Sequence, residues 1–123
     1  MDRAMKPEAL AQRRIQGALK ACGYLSIHIP NRGLYDPSTN RYNIKADPFF
    51  LPGVPDLCVL LPENKVLWVE VKSAIGKQSP AQIRVQTETF PRYGHRNNCI
   101  LARGPEEVMA WLKAAGYRYG EIV

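Results

Sequence analysis

The sequence has no apolar run that approaches the roughly 18 residues needed to span a bilayer. Its three cysteines, Cys22, Cys58 and Cys99, include no CxxC pair. An odd and widely spaced set argues against a disulfide framework and against a cysteine zinc site. His28 and His95 stand too far from other ligand types to indicate a zinc motif. The N-terminus also lacks the apolar stretch of a signal peptide, so we expect a cytoplasmic chain with no membrane partner.

Acidic residues are outnumbered, with 11 Asp and Glu against 17 Lys and Arg, which gives a formal net charge of +6. The excess lies in two stretches, 3–20 and 72–103, each of which contains one acidic residue. Such clusters favour a polyanionic partner, although a solvated surface explains them almost as well. The length of 123 residues predicts a single domain over 1–123.

A helix is predicted over 7–22, because Pro7 suits the first helical position and Gly23 supplies a stop. Its apolar stripe consists of Ala11, Ile15, Ala18, Leu19 and Cys22. Glu8 lies three residues before Ala11, so it extends this buried stripe, where an acid is unexpected.

Alternation over 24–29 predicts a half-buried strand with Leu25, Ile27 and Ile29 on one side. Residues 31–52 show little periodicity and predict a long loop that is flexible or contacts DNA. The loop mixes basic and aromatic residues, as a flap that grips a nucleic-acid strand would: Arg32, Tyr35, Arg41, Tyr42 and Lys45. A disordered insertion with incidental charges is an equal alternative.

Two apolar strands follow, joined by the connector Pro62-Glu63-Asn64-Lys65, which predicts an antiparallel hairpin. Ser79-Pro80-Ala81-Gln82 has the form of a capping box at a helix start. The predicted order is α-β-β-β-α-β-α, an α/β fold with a mixed central sheet flanked by helices. The later elements are strands over 56–61, 66–72 and 99–102, helices over 79–92 and 105–115, and an edge strand from Tyr117.

Asp56, Glu70 and Lys72 stand at the ends of the two hairpin strands, where acids are rare and costly to bury. They share a face only if the numbers of each cross-strand pair sum to an even value. A four-residue loop gives an odd sum, so we predict an odd loop or a β-bulge. The core face then carries Leu57, Val59, Leu61, Leu67, Val69 and Val71.

Two carboxylates with a lysine beside them suit a hard cation such as Mg²⁺ or Mn²⁺. A cation there would polarise a phosphodiester and activate water, and Lys72 would neutralise the developing charge. A solvated cross-strand ion pair is the plain alternative.

These residues resemble a known family pattern. Pro55-Asp56 followed by Glu70-Val71-Lys72 is similar to the PD-(D/E)XK nuclease signature. The wider segments Gly53-Val54-Pro55-Asp56-Leu57, Trp68-Val69-Glu70-Val71-Lys72 and Ser79-Pro80-Ala81-Gln82 resemble the VRR-NUC group. The resemblance implies the restriction-endonuclease-like core, with a VRR-NUC-like domain over 1–123.

The resemblance also implies roles for individual residues. Asp56 and Glu70 would bind the metal together with the Val71 carbonyl, and Lys72 would be the catalytic lysine. Gln82 would support the site, although a glutamine folded back to cap its helix is not expected to reach it as well; Gln86 is the reserve. Glu8 would contribute to the metal site, unless it only favours the first turn of its helix.

The function implied is a Mg²⁺- or Mn²⁺-dependent DNA endonuclease, similar to the homodimeric Holliday junction resolvases that cut four-way junctions. A non-catalytic nucleic-acid-binding module and a sequence-specific restriction-type enzyme remain alternatives. No small-molecule cofactor is expected beyond the metal. Trp111 and Ile122 are candidates for a dimer surface. The basic residues expected to contact DNA are Arg13, Arg14, Arg32, Arg41, Lys45, Lys77 and Arg84.

Overall fold

A computed structural model describes residues 5–30, 34–43, 49 and 51–117. The helices are α1 (Pro7–Ala21), α2 (Pro80–Arg84), α3 (Phe90–Arg92) and α4 (Pro105–Ala114), with a π-helical turn at Val85–Thr89 that joins α2 to α3. The strands are β1 (Leu25–His28), β2 (Leu34–Asp36), β3 (Arg41–Asn43), β4 (Leu57–Leu61), β5 (Lys65–Val71) and β6 (Cys99–Ala102). In this part of the chain, no helix has the length and apolar character required to cross a membrane.

Four strands form the central sheet in the order β1-β4-β5-β6. β1 and β5 each run antiparallel to β4, whereas β6 runs parallel to β5. The mixed α/β sheet that the sequence predicts is therefore confirmed. We call α2, the π-helical turn and α3 together the second helical segment. One face of the sheet packs on α1 and α4 around the main core, and the other packs on the Val85 and Phe90 side chains of the second helical segment.

The register of the β4–β5 hairpin confirms the predicted odd loop. Leu57 pairs with Val69 and Leu61 pairs with Lys65, so each pair sums to an even number. The connector is 62–64 rather than the four residues expected, because Lys65 already belongs to β5. Glu63 and Asn64 both adopt φ of 62°, which lets the loop turn within three residues. All six residues predicted for the core face are buried.

The structure corrects the prediction for β1, whose apolar side faces outward. Leu25 is 61% exposed and Ile27 is 43% exposed, whereas Ser26 accepts a hydrogen bond from Gln16 of α1. The register explains this orientation, because Leu25 lies opposite Leu60, on the sheet face away from α1. The second helical segment covers β5 and β6 on that face and leaves the β1 edge open.

The predicted long loop contains regular structure, because β2 and β3 pair as an antiparallel hairpin within it. Asn40 at its turn has a positive φ of 56°, which asparagine tolerates. The sequence did not predict this hairpin, because strands of three residues show almost no periodicity. The edge strand predicted from Tyr117 falls almost wholly outside the described residues, and Tyr117 itself is not in a strand.

Gly53 brings the loop before β4 against the first turn of α2. Its φ is +86°, and a Cβ built on it would lie 2.4 Å from the carbonyl carbon and oxygen of Ala81 and 2.6 Å from the Gln82 nitrogen. These neighbours are backbone atoms, which cannot rotate away. The glycine therefore sets the spacing between the segment that carries Asp56 and the helix that carries Gln82.

We predict that Gly53→Ala lowers the free energy of unfolding by about 3 kcal/mol, combining left-handed strain of 1–2 kcal/mol with the backbone clash. Gly94→Ala is the matched control, because Gly94 has φ of +89° with no described atom within 4 Å of the added Cβ. It should lose only about 1–2 kcal/mol. Urea titration of both variants measures the difference. Equal losses of unfolding free energy would show that the close approach of Gly53 to α2 does not contribute to stability.

Candidate active site

Asp56 and Glu70 meet where β4 begins and β5 ends. The even register continues past Leu57 and Val69, so Asp56 falls opposite Glu70. The Asp56 Oδ2 atom accepts a hydrogen bond of 2.8 Å from the Val71 backbone N–H, which fixes the carboxylate across the strand ends. The backbone oxygen of Asp56 also accepts from the Ile29 N–H, so β1 holds the same residue from its other side.

Glu70 is a buried carboxylate, only 2% exposed. Its pKa is raised to about 8, chiefly by burial and then by the charge and a hydrogen bond of the neighbouring Asp56, while Lys72 acts in the opposite direction. Removing a carboxylate from water is costly unless a partner compensates its charge. The protein itself therefore compensates the Glu70 charge only in part.

Gln82 reaches both the helix cap and the site, which corrects the expectation that it could do only one. Its Oε1 accepts a hydrogen bond of 2.7 Å from the Ser79 N–H, and the Ser79 hydroxyl accepts from the Gln82 N–H to complete the capping box. Its Nε2 donates to Glu70 Oε1 at 2.8 Å. The two ends of one amide thus tie the start of α2 to the buried carboxylate.

Lys72 lies between two carboxylates at the end of β5. Its Nζ is 3.7 Å from Glu70 Oε1 and 3.5 Å from Glu8 Oε1. The lysine side chain is only 12% exposed, whereas that of Glu8 is 53% exposed. Glu8 therefore turns toward the site, but it is not buried as its place on the stripe suggested, because it lies at the open end of α1.

The donor set that these residues offer consists of oxygen atoms. Asp56 and Glu70 supply two carboxylates, and Glu8 lies on the far side of Lys72. Among the described residues, no three Asp, Glu, His or Cys side chains form a cluster that could hold a metal ion. A site here fits a hard cation held by two carboxylates, with backbone carbonyl and water completing its shell. The role of Glu8 as a metal ligand stays a prediction.

A buried thiol lies on the strand that pairs with the one carrying Glu70. Cys99 lies on β6 and is 7% exposed. Burial, together with the charge of Glu70, raises the pKa of its thiol to about 11. This environment favours the neutral thiol, whereas the carboxylates are the ligand type that suits a hard cation.

The basic residues predicted to contact DNA are distributed over several elements of the fold. Arg13 and Arg14 are exposed on α1, Lys77 precedes α2, Arg84 ends α2, and Arg41 is exposed on β3. Arg32 and Lys45 lie outside the described residues. DNA contact by any member of the set stays a prediction.

Sequence reasoning missed Arg103, which organises the segment directly after Lys72. Its Nη1 donates to the backbone oxygens of Ser73 and Gly76, the latter at 2.7 Å. The Lys72 N–H donates to the Ala102 oxygen, so β6 and the residue after it hold both the lysine and the turn that follows. No local pattern marks such a role, since the partners are 27 and 30 residues away.

Gln86, the reserve candidate, is engaged elsewhere. It accepts a hydrogen bond of 2.7 Å from Gln78 and donates to the Cys99 carbonyl at 3.3 Å. The residue lies in the π-helical turn, a feature often found near functional sites. Here it joins the second helical segment to β6, and Gln82 makes the contact with Glu70.

We predict that, with metal chelated, the free energy of unfolding falls as pH rises from about 5 to 8. The pKa of Glu70 is raised to about 8 by folding, so the native state binds the proton more tightly than the unfolded state in this window. Each pKa unit corresponds to about 1.4 kcal/mol. Thermal melts in EDTA measure the decline, and added Mn²⁺ or Mg²⁺ should reverse it more at pH 8 than at pH 6.

Glu70→Gln is the control for this pH dependence, since it removes the titrating group and keeps the side-chain shape. Its melting temperature in EDTA should change much less between pH 5 and 8, and at pH 8 it should exceed that of the unsubstituted chain. An unchanged pH slope in Glu70→Gln would assign the effect to other groups.

The fold can be compared with known proteins. No protein-family model and no curated protein matches the sequence. A solved structure described as a VRR_NUC domain superposes with a TM-score of 0.60 and 24% sequence identity, covering 92% of this chain and 100% of that one. The chain therefore has the fold of a VRR_NUC domain, as the resemblance of its motifs predicts.

Proposed function

We propose that this chain is a nuclease that hydrolyses phosphodiester bonds in DNA with the help of Mg²⁺ or Mn²⁺. The observation that carries the proposal is the buried Glu70 carboxylate, which meets Asp56, Lys72 and Gln82 at the ends of β4 and β5. The solved domain of the same fold has a name that denotes a nuclease. A purely structural ion pair would not need a carboxylate so far out of water.

A divalent cation held by Asp56, Glu70 and the Val71 carbonyl would polarise the scissile phosphate and supply a nucleophilic water. The protein's own groups have distinct tasks around it. The Val71 N–H orients Asp56, and Gln82 Nε2 orients Glu70. Lys72, nearly out of solvent, offers a positive charge for the developing negative charge on the phosphate and can orient the attacking water.

The preferred substrate is branched DNA such as a four-way junction, and the chain acts as a homodimer, because paired cuts need two sites. Of the dimer candidates, Trp111 is half-buried against Tyr117 and donates to the Asn97 oxygen, and Ile122 lies outside the described residues. The exposed apolar residues Leu25 and Ile27 on β1 offer a better surface. Light scattering of the purified chain tests the dimer: a monomer mass would exclude it.

The alternatives differ from the proposal in what they require of the site. A non-catalytic binding module has no use for a buried Glu70 beside Lys72, and a degenerate site would be free to lose one of them. A restriction-type enzyme uses the same site but needs surfaces that read bases in a groove. Cutting at defined sequences in linear duplex would favour that enzyme over a junction nuclease.

We predict metal-dependent cleavage of labelled four-way junction DNA, tested beside flap and linear duplex DNA with Mg²⁺, Mn²⁺ or EDTA. Glu70→Gln should lower the cleavage rate by about 10³-fold or more, because it weakens the cation site and with it the stabilisation of the transition state. Glu63→Gln makes the same change at an exposed position in the β4–β5 turn, at the opposite end of the hairpin, and is the control that should cleave normally. Cleavage that persists in EDTA or in Glu70→Gln would reject the proposal.

Gln82 allows its two contacts to be separated. Gln82→Glu keeps an oxygen that can accept from the Ser79 N–H but has no amide to donate to Glu70, whereas Gln82→Ala loses both contacts. We predict that Gln82→Ala lowers both melting temperature and cleavage rate, since loss of a cap costs about 1 kcal/mol. Gln82→Glu should retain most of its stability with metal present and lose cleavage about 10- to 100-fold. Full activity in both variants would remove Gln82 from the site.

A further inference from the structure

A cavity of about 600 Å³ opens beside the candidate active site. One wall is the face of α1 that carries Leu10, Arg14 and Gly17. The other wall includes Ser73, which directly follows Lys72, and Arg103 with Glu106 near the start of α4. We call this cavity the α1–α4 groove. Its lining begins at Pro7 and Ser73, the chain neighbours of Glu8 and Lys72.

Gly17 lies inside α1, where glycine costs about 1 kcal/mol relative to alanine. No backbone conformation or close neighbour requires it, because no described atom lies within 4 Å of an added Cβ. The space above Gly17 belongs to the groove. A helix that omits a side chain over open space leaves room there for another molecule.

The charges along the groove favour an anion. Arg14 makes no ion pair with any described residue. Arg103 uses Nη1 for two backbone carbonyls, and a guanidinium has five N–H donors, so three remain. Glu106 also borders the groove, but it lies in the first turn of α4, where the helix dipole favours a negative charge. The two arginines leave the groove with a positive balance.

We propose that the α1–α4 groove binds the sugar–phosphate backbone of the DNA strand that flanks the scissile phosphate. Arg14 and Arg103 contact its phosphates, and its sugars pack in the groove against Leu10 and Gly17. The proposal rests on the nuclease function proposed above, and it selects Arg14 over Arg13 among the basic residues of α1. The groove borders the active site, because Pro7 and Ser73 in its lining are next in the chain to Glu8 and Lys72, whose side chains form an ion pair.

Binding is measured by fluorescence anisotropy with labelled four-way junction DNA over a series of salt concentrations, in the Glu70→Gln background to prevent cleavage. Arg14→Ala should raise Kd about tenfold and reduce the slope of log K against log salt by about 1, as expected for one lost phosphate contact. Arg13→Ala removes the same charge from the neighbouring helix position outside the groove. It should change Kd less than about twofold and leave the slope nearly unchanged.

A second pair of variants tests the space over Gly17 without changing charge. Gly17→Ala should raise the melting temperature by a few degrees, because alanine favours the helix, with little effect on Kd. Gly17→Gln should be at least as stable as the unsubstituted chain, yet bind DNA about tenfold more weakly because its side chain occupies the groove. Equal Kd values for Gly17→Gln and Gly17→Ala would overturn the proposal.

The outcomes separate this inference from the proposed function. Equal losses of DNA affinity in Arg13→Ala and Arg14→Ala would overturn the proposed groove. The proposed nuclease function would still stand, because it is tested by cleavage. Groove-specific losses of binding without any metal-dependent cleavage would support the groove and reject the nuclease. The groove proposal would also be overturned if neither the Glu70→Gln protein nor the unsubstituted chain in Ca²⁺ binds DNA.

Discussion

The Glu70 carboxylate is held out of water at the meeting point of the two layers that flank the sheet. Gln82 approaches it from the second helical segment, Lys72 lies between it and Glu8 of α1, and Asp56 lies across the strand ends. Its neighbours do not fully compensate the cost of burying this group, and its pKa is raised to about 8 by burial and by the nearby Asp56. A buried carboxylate of this kind requires all of its neighbours to be in register.

That requirement extends into the backbone. The three-residue turn of the β4–β5 hairpin sets the even register, and a turn one residue longer would send Asp56 to the opposite face. Gly53 lets the chain before β4 touch the first turn of α2, which places Gln82 within hydrogen-bond distance of Glu70. Two local features of the backbone, a short turn and a glycine contact, therefore control the position of three side chains.

Sequence reasoning recovers those parts of the molecule that local patterns encode. Alternation and parity predict the core face of β4 and β5 and the shared face of Asp56 and Glu70, because strand geometry has a strict period of two. Alternation cannot tell which side of β1 a helix covers, so Leu25 and Ile27 were expected on a half-buried strand and lie exposed. The double contact of Gln82 was missed because the capping motif describes one end of the amide and the distant Glu70 binds the other.

The residues proposed for the chemistry and those proposed to bind the substrate lie in different surroundings. Glu70 and Lys72 are almost removed from solvent. In the low-dielectric interior, charges interact strongly, but their movement is costly. Arg14 lies on the exposed face of α1, where a charge is screened by salt and acts mainly as a phosphate contact. Arg103 connects the two regions, because it fixes the turn after Lys72 and borders the groove. A strand bound along that groove would thus be placed by the same residue that positions the backbone next to Lys72.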